Sequence, residues 1–97
     1  MTKFKRKRKP TSPGEILREE FLEPLGLTQK QLAEHLGVDV KAINRIVNEK
    51  SSVTPIMAIK LAHAFRMTAN FWLNAQTAMD IYNAELDLEE LPEPLVG

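Results

Sequence analysis

Apolar residues recur at helical spacing along most of the chain. Ile16, Leu17, Phe21 and Leu22 form one stripe, and Leu32, Ala33 and Leu36 a second. Ile43, Ile46 and Val47 form a third, and Ala58, Leu61, Ala62 and Phe65 a fourth. Gaps of three and four residues place side chains on one face of an α-helix. The breaks between stripes fall at capping residues. Ser12-Pro13-Gly14-Glu15 reads as a capping box with Pro at the first helical position, and predicts helix one from Pro13 to about Glu23, closed by Pro24 and Gly26. Thr28 to Gln31 is a second capping box and opens helix two. Asp39 opens helix three, Thr54-Pro55 opens helix four to about Arg66, and Thr68 opens helix five to about Asn83 or a little beyond. No stretch alternates with period two for long enough to predict a strand. The expected fold class is all-α, with five helices.

Helix five departs from the simple pattern. It carries Phe71, Trp72, Leu73, Met79, Ile81 and Tyr82, and adjacent residues on a helix point about 100° apart. Phe71 and Trp72 therefore cannot both bury against one surface. The expectation is core on one side and a homodimer contact on the other, with Trp72, Met79 and Tyr82 as the contact residues.

The segment from Gln29 to Ile46, QKQLAEHLGVDVKAINRI, is two short helices joined by a tight turn. Ala33 is small enough for the second helix to approach. Gly37 can adopt positive φ without steric cost, and Asp39 can accept from exposed amides at the next helix start. This is the spacing of a helix-turn-helix, whose second helix enters the major groove of DNA. Opposite its buried stripe, helix three carries Lys41, Asn44, Arg45 and Asn48 at i, i+3, i+4 and i+7. Two cations and two amides without a carboxylate suit phosphate oxygens and base edges. An ordinary solvated helix face is the alternative.

Composition narrows the field further. The length suits one small domain, whose modest core association often supplements. Cys is absent, so neither disulfides nor thiolate metal sites are open to it. No apolar run reaches transmembrane length, and the basic N-terminus lacks the apolar stretch of a secretory signal. A cytoplasmic protein without membrane association is expected. The net charge of zero conceals an asymmetry. Lys3, Lys5, Arg6, Lys7, Arg8 and Lys9 crowd the start, whereas Glu85, Asp87, Glu89, Glu90 and Glu93 crowd the end with no basic residue among them. Residues 1–10 are read as a flexible basic arm suited to a polyanion, 11–83 as the helix-turn-helix domain with its motif at 29–46, and 84–97 as an acidic tail. Two solvated ends are the alternative.

The residues Pro13-Gly14-Glu15-Ile16-Leu17, Glu20-Phe21-Leu22 and Gly26-Leu27-Thr28 resemble the opening of HigA-type antitoxins, also called virulence-associated protein I homologues, within the phage-repressor-like helix-turn-helix group. Leu32-Ala33, Leu36-Gly37-Val38, Ile46-Val47-Asn48 and Phe71-Trp72-Leu73-Asn74, with Gln76 and Asp80, continue the match from about Lys9 to Asn83. The resemblance implies a five-helix repressor-like fold and a homodimer that binds its own operator in double-stranded DNA. It also implies a HigB-type toxin partner, an mRNA-cleaving nuclease held inactive. By position it implies Val40, Lys41 and Arg45 as base readers with Asn44 beside them, Gln29 on a phosphate, and Asn48 and Lys50 gripping the backbone. Where the family usually has Gly after the Asn that ends helix three, this chain has Glu49. A left-handed cap there would strain the backbone and set an anion near the phosphate path.

An enzyme is disfavoured. His35 and His63 lie on different helices without metal-ligand spacing, and neither a Gly-rich phosphate loop nor a set nucleophile is present. No cofactor is expected. A stand-alone DNA-binding repressor without a toxin would share the same fold and stripe. For a toxin partner, the candidate surface is acidic: Glu15, Glu19 and Glu23 recur every fourth residue on helix one, with Glu20 alongside. Repulsion at that spacing costs a helix a few tenths of a kcal/mol per pair, so the ridge is either a solvated face or a site for a basic nuclease.

Overall fold

The computed structural model describes Thr2–Lys3 and residues 8–97. Five helices account for nearly all of its regular structure. Helix α1 runs without interruption through Pro13–Ile16, a π-helical stretch Leu17–Leu22, and Glu23–Leu25. Helix α2 is Gln29–Leu36, α3 is Val40–Val47, α4 is Pro55–Phe65 and α5 is Ala69–Leu86.

The caps act where the sequence places them. Ser12 Oγ accepts from Glu15 N–H, Thr54 Oγ1 from Met57 N–H and Thr68 Oγ1 from Phe71 N–H. At Thr28 both halves of the capping box form: its hydroxyl accepts from Gln31 N–H at 3.0 Å, and its own N–H donates to Gln31 Oε1 at 2.9 Å. Each such bond satisfies an amide that the helix leaves without a partner.

Pro24 does not close helix α1, contrary to the sequence expectation. Pro24 sits in the final helical turn, and the left-handed residue that ends the helix is Gly26, at φ 62°. The reason lies upstream. An unbroken α-helix would set the proline ring against the carbonyl four residues back. Here the preceding turn is widened, with Glu23 N–H donating to Arg18 C=O, five residues back. Helix α5 ends at Leu86, a little beyond Asn83 as the sequence suggests.

One short ladder corrects the expectation of no strand. β1 (Thr2–Lys3) pairs antiparallel with β2 (Glu90–Leu91), in the register Thr2↔Leu91 and Lys3↔Glu90. Two-residue strands are too short to show alternation, and their pairing is a contact between opposite ends of the chain. Met1 and residues 4–7 of the predicted basic arm lie outside the described residues.

The core is built from every helix and one loop. Ile16, Leu17, Leu22, Leu32, Ala33, Ile43, Ile46, Val53, Ala58, Leu61, Ala62 and Trp72 form one buried cluster. Phe21 stacks on Phe65 at 4.4 Å between ring centroids and tilts against Trp72 at 5.7 Å. Val53, on the connection between α3 and α4, belongs to this core although no helical pattern points to it. The start of α1 docks against the end of α3 so closely that a Cβ on Gly14 would overlap the Ile46 carbonyl. Only glycine permits that approach, which fixes the base of α3 on α1.

Candidate nucleic-acid interface

The turn between α2 and α3 is set by backbone chemistry. Gly37 takes φ 70°, its N–H donates to Glu34 C=O, and Val38 N–H donates to Ala33 C=O. This Schellman pairing stops α2. Asp39 restarts the chain as α3, its carboxylate accepting from Lys41 N–H at 2.8 Å. Ile43 and Ile46 then bury, and Ala33 is buried beneath the motif.

The opposite side of α3 faces solvent. Val40, Lys41, Asn44, Arg45 and Asn48 are exposed, Lys50 is exposed in the loop beyond, and Gln29 is half-buried at the start of α2. The structure thus leaves exposed six of the seven residues that the sequence singles out for nucleic acid, with Gln29 half-buried beside Asn44. Five of the seven are also linked. Asn44 Nδ2 donates to Gln29 Oε1 at 3.2 Å, and Asn48 Nδ2 donates to Asn44 Oδ1 at 3.2 Å. Arg45 Nη2 reaches the Lys50 carbonyl at 3.4 Å. Side chains held in this way lose less freedom on meeting a ligand.

Glu49 adopts φ 58°, the left-handed cap that its position after Asn48 predicted. Glu49 N–H donates to Ile46 C=O and Lys50 N–H to Arg45 C=O, completing a second Schellman end with a non-glycine residue at its centre. The Glu49 carboxylate meets Lys9 Nζ at 3.5 Å. That pair offsets part of the negative charge at the end of α3.

The predicted dimer residues separate. Trp72 is fully buried and Met79 is 6% exposed within the single chain, whereas Tyr82 is half-buried. Burial places Trp72 and Met79 in the chain's own packing, so neither side chain is presented to a second copy. The outward face of α5 instead carries Phe71, Ala78, Ile81 and Tyr82, with Ile81 54% exposed. The indole Nε1–H of Trp72 is buried without a hydrogen-bond partner among the described residues. The ring is nonetheless packed edge-on by Phe71, with 5.4 Å between centroids. On helix α1, Glu19, Glu20 and Glu23 are exposed and Glu15 is half-buried, and Arg18 Nη2 pairs with Glu19 at 3.3 Å. The described residues include no group of three or more His, Asp or Glu able to hold a metal ion. Among them, no helix is long and apolar enough to cross a membrane.

A family profile described as helix-turn-helix matches residues 18–72. The chain belongs to the helix-turn-helix family, in its HigA and virulence-associated protein I branch. A helix-turn-helix transcriptional regulator of Haemophilus influenzae is 53% identical over 80% of this chain and 73% of its own length. Antitoxin HigA-1 of Vibrio cholerae is 44% identical over 89% of this chain and 81% of its own. The structure of Pseudomonas aeruginosa antitoxin HigA with the higBA promoter superposes with a TM-score of 0.80 at 35% identity, covering 90% of this chain and 99% of that one. The fold is that of HigA antitoxins, and the family is one of DNA-binding regulators rather than enzymes.

Sequence reasoning named Gly14 only in a capping box and the family match, and Gln76 only in that match, and missed the contacts they make. Gly14 permits the close contact that seats α3. Gln76 accepts from the Val53 amide across 23 residues of sequence. Neither Gly nor a single Gln on a helix carries a local signal for such a role.

Proposed function

We propose that two copies of this chain bind the operator upstream of their own gene and repress it, and that the protein neutralises a HigB-type mRNA-cleaving toxin in the cytoplasm. The observation that carries the DNA reading is the outward side of α3. Its two cations and two amides stand on a helix whose other side is locked into the core, and Gln29 and Lys50 flank them. Arg45 pairs with a guanine, Asn44 with an adenine or a neighbouring phosphate, and Lys41 and Val40 complete the base-facing set. Gln29, Asn48 and Lys50 contact the phosphate backbone. Each α3 enters one major groove, with half-sites about 10 to 10.5 base pairs apart.

The second copy binds through the outward face of α5. Phe71, Ala78, Ile81 and Tyr82 follow one another at i, i+7, i+10 and i+11 and so share a stripe. An apolar stripe of this kind on a single chain is what an isologous contact covers. This reading keeps Tyr82 and replaces Trp72 and Met79 with their exposed neighbours.

The toxin reading is supported by the family and by the acidic side of α1. Glu19, Glu20 and Glu23, with Glu15 behind them, form a field that suits a nuclease whose own cations meet RNA phosphates. A stand-alone repressor is the second reading, favoured by the name of the Haemophilus influenzae relative.

The test has two arms. Affinity for the duplex upstream of the gene is compared with a random duplex of equal length at physiological salt, and equal affinities overturn the DNA reading. The protein encoded beside this one is then mixed with it and its RNA cleavage followed. Cleavage that persists at a stoichiometric excess overturns the antitoxin reading and leaves the stand-alone repressor.

A further inference from the structure

We propose that Gln76, held by Asp80, is a positioning residue for operator recognition: it fastens the loop after α3 to α5 and thereby sets where Arg45 and Lys50 stand. The proposal rests on the reading of α3 as the DNA-contacting helix.

Gln76 Oε1 accepts from Val53 N–H at 2.9 Å, and Gln76 Nε2 donates to Asp80 Oδ1 at 2.9 Å. The chemistry of the two partners fixes the orientation of the amide. A backbone N–H demands an acceptor and a carboxylate demands a donor, so only one of the two ways of placing the Gln76 amide satisfies both. Gln76 and Asp80 are one helical turn apart on α5, a rigid base from which the bond is presented.

The loop that Gln76 holds leads directly to the interface. Val53 is buried and lies three residues beyond Lys50. The Lys50 carbonyl accepts from Arg45 Nη2, and Lys50 N–H donates to Arg45 C=O at 2.7 Å. A continuous path of bonded groups therefore runs from Asp80 through Gln76, the Val53 amide and the loop backbone to the Arg45 guanidinium. One side of the loop is open to solvent. An open cleft of about 180 Å³ lies beside it, bordered by Ser12, Lys50, Ser51, Ser52, Gln76 and Asp80. With that side open, the directional bond at the far end of the loop helps to fix its position.

A purely structural role would close one backbone donor and influence stability alone. A positioning role changes base preference. In the full-length protein, Gln76→Met removes the acceptor while keeping the apolar stem. Its operator-to-random affinity ratio is expected to fall about tenfold, a change of about 1.4 kcal/mol, with affinity for random duplex falling less than affinity for operator, because, of the contacts that the loop sets, the two share only the Lys50 phosphate contact. Preference should be lost mainly at the base position that Arg45→Ala also relaxes, and Gln76→Met combined with Arg45→Ala should be little worse than Arg45→Ala alone.

Gln76→Glu faces a carboxylate with the Asp80 carboxylate and should lose the ratio likewise. Adding Asp80→Asn to Gln76→Glu should restore it, because the introduced amide donates to the introduced carboxylate, which still accepts from Val53 N–H. Thermal melts by circular dichroism accompany every variant. A wild-type ratio in Gln76→Met overturns the proposal, as does failure of the paired exchange to restore the ratio in a protein that melts like wild type. Should Gln76→Met fail to fold, the paired exchange decides alone. A wild-type protein without operator preference overturns the DNA reading itself, which is a separate outcome.

Discussion

Helices α3 and α5 each bury one stripe and display another, and the displayed stripes differ in kind. Behind α3 are Ile43 and Ile46; in front are Lys41, Asn44 and Arg45, with Asn48 at its end. Behind α5 are Trp72 and Met79; in front are Phe71, Ala78, Ile81 and Tyr82. A polar face is stable in water and gains only from a ligand that matches its donors and charges. An apolar face keeps an unfavourable hydration of about 25 cal/mol per Å² until something covers it. The first therefore points to nucleic acid and the second to protein, although both helices have the same buried-side logic.

The largest expected effect breaks the inner side of α5. Trp72→Ala should destabilise the chain by about 3–5 kcal/mol, read as a thermal midpoint lowered by tens of degrees or as failure to fold. A midpoint within a few degrees of wild type would place Trp72 outside the packed core. Met79→Glu belongs to the same class. It buries an unpaired charge and should unfold the chain rather than merely separate two copies.

The outer side of α5 should respond differently. Ile81→Glu is expected to leave the helical circular dichroism of the single chain intact, to shift sedimentation to monomer, and to remove most operator affinity. A variant that stays dimeric would move the contact away from this face. This pair of substitutions on one helix, one inward and one outward, is the sharpest check of the comparison.

On α3 the effect should appear in binding and not in folding. Arg45→Ala should weaken operator binding by about 1–3 kcal/mol and relax preference at one base position, with an unchanged melt. Uniform weakening across all sequences would reassign Arg45 to a phosphate.

The smallest effect concerns the end of α3. Glu49→Gly relieves a left-handed residue and should stabilise the chain by about 1 kcal/mol, raising the midpoint by about 4–8 °C. It also removes an anion from beside the proposed phosphate contacts of Asn48 and Lys50, so operator affinity should rise slightly. An unchanged or lowered midpoint would mean that the Lys9–Glu49 pair outweighs the backbone strain.

Much of the fold can be read locally. Each helix start is a side chain bonding an amide two or three residues away, as at Ser12, Thr28, Asp39, Thr54 and Thr68. Such bonds involve only near neighbours, so the sequence shows them. Pro24 is the exception. Its local meaning is a helix stop, and the widened turn that accommodates it is a property of the whole helix. The β1–β2 pairing escapes for a different reason: it joins residues about 90 apart, through strands too short to show a period.

The candidate interface divides along the same line. That Lys41, Asn44, Arg45 and Asn48 share one face follows from helical spacing alone, and the turn at Gly37 follows from the one residue that takes positive φ without strain. Amphipathic periodicity also says that α5 has two apolar sides. It does not say which side is inward, because Trp72 and Phe71 have similar burial energies and differ only in what lies opposite them. Packing against Phe21, which in turn stacks on Phe65, decides in favour of Trp72. The seating of α3 on Gly14 and the bond from Val53 to Gln76 are likewise set by tertiary structure. Both depend on distances between segments far apart in the chain, and no local pattern of residue types encodes a distance.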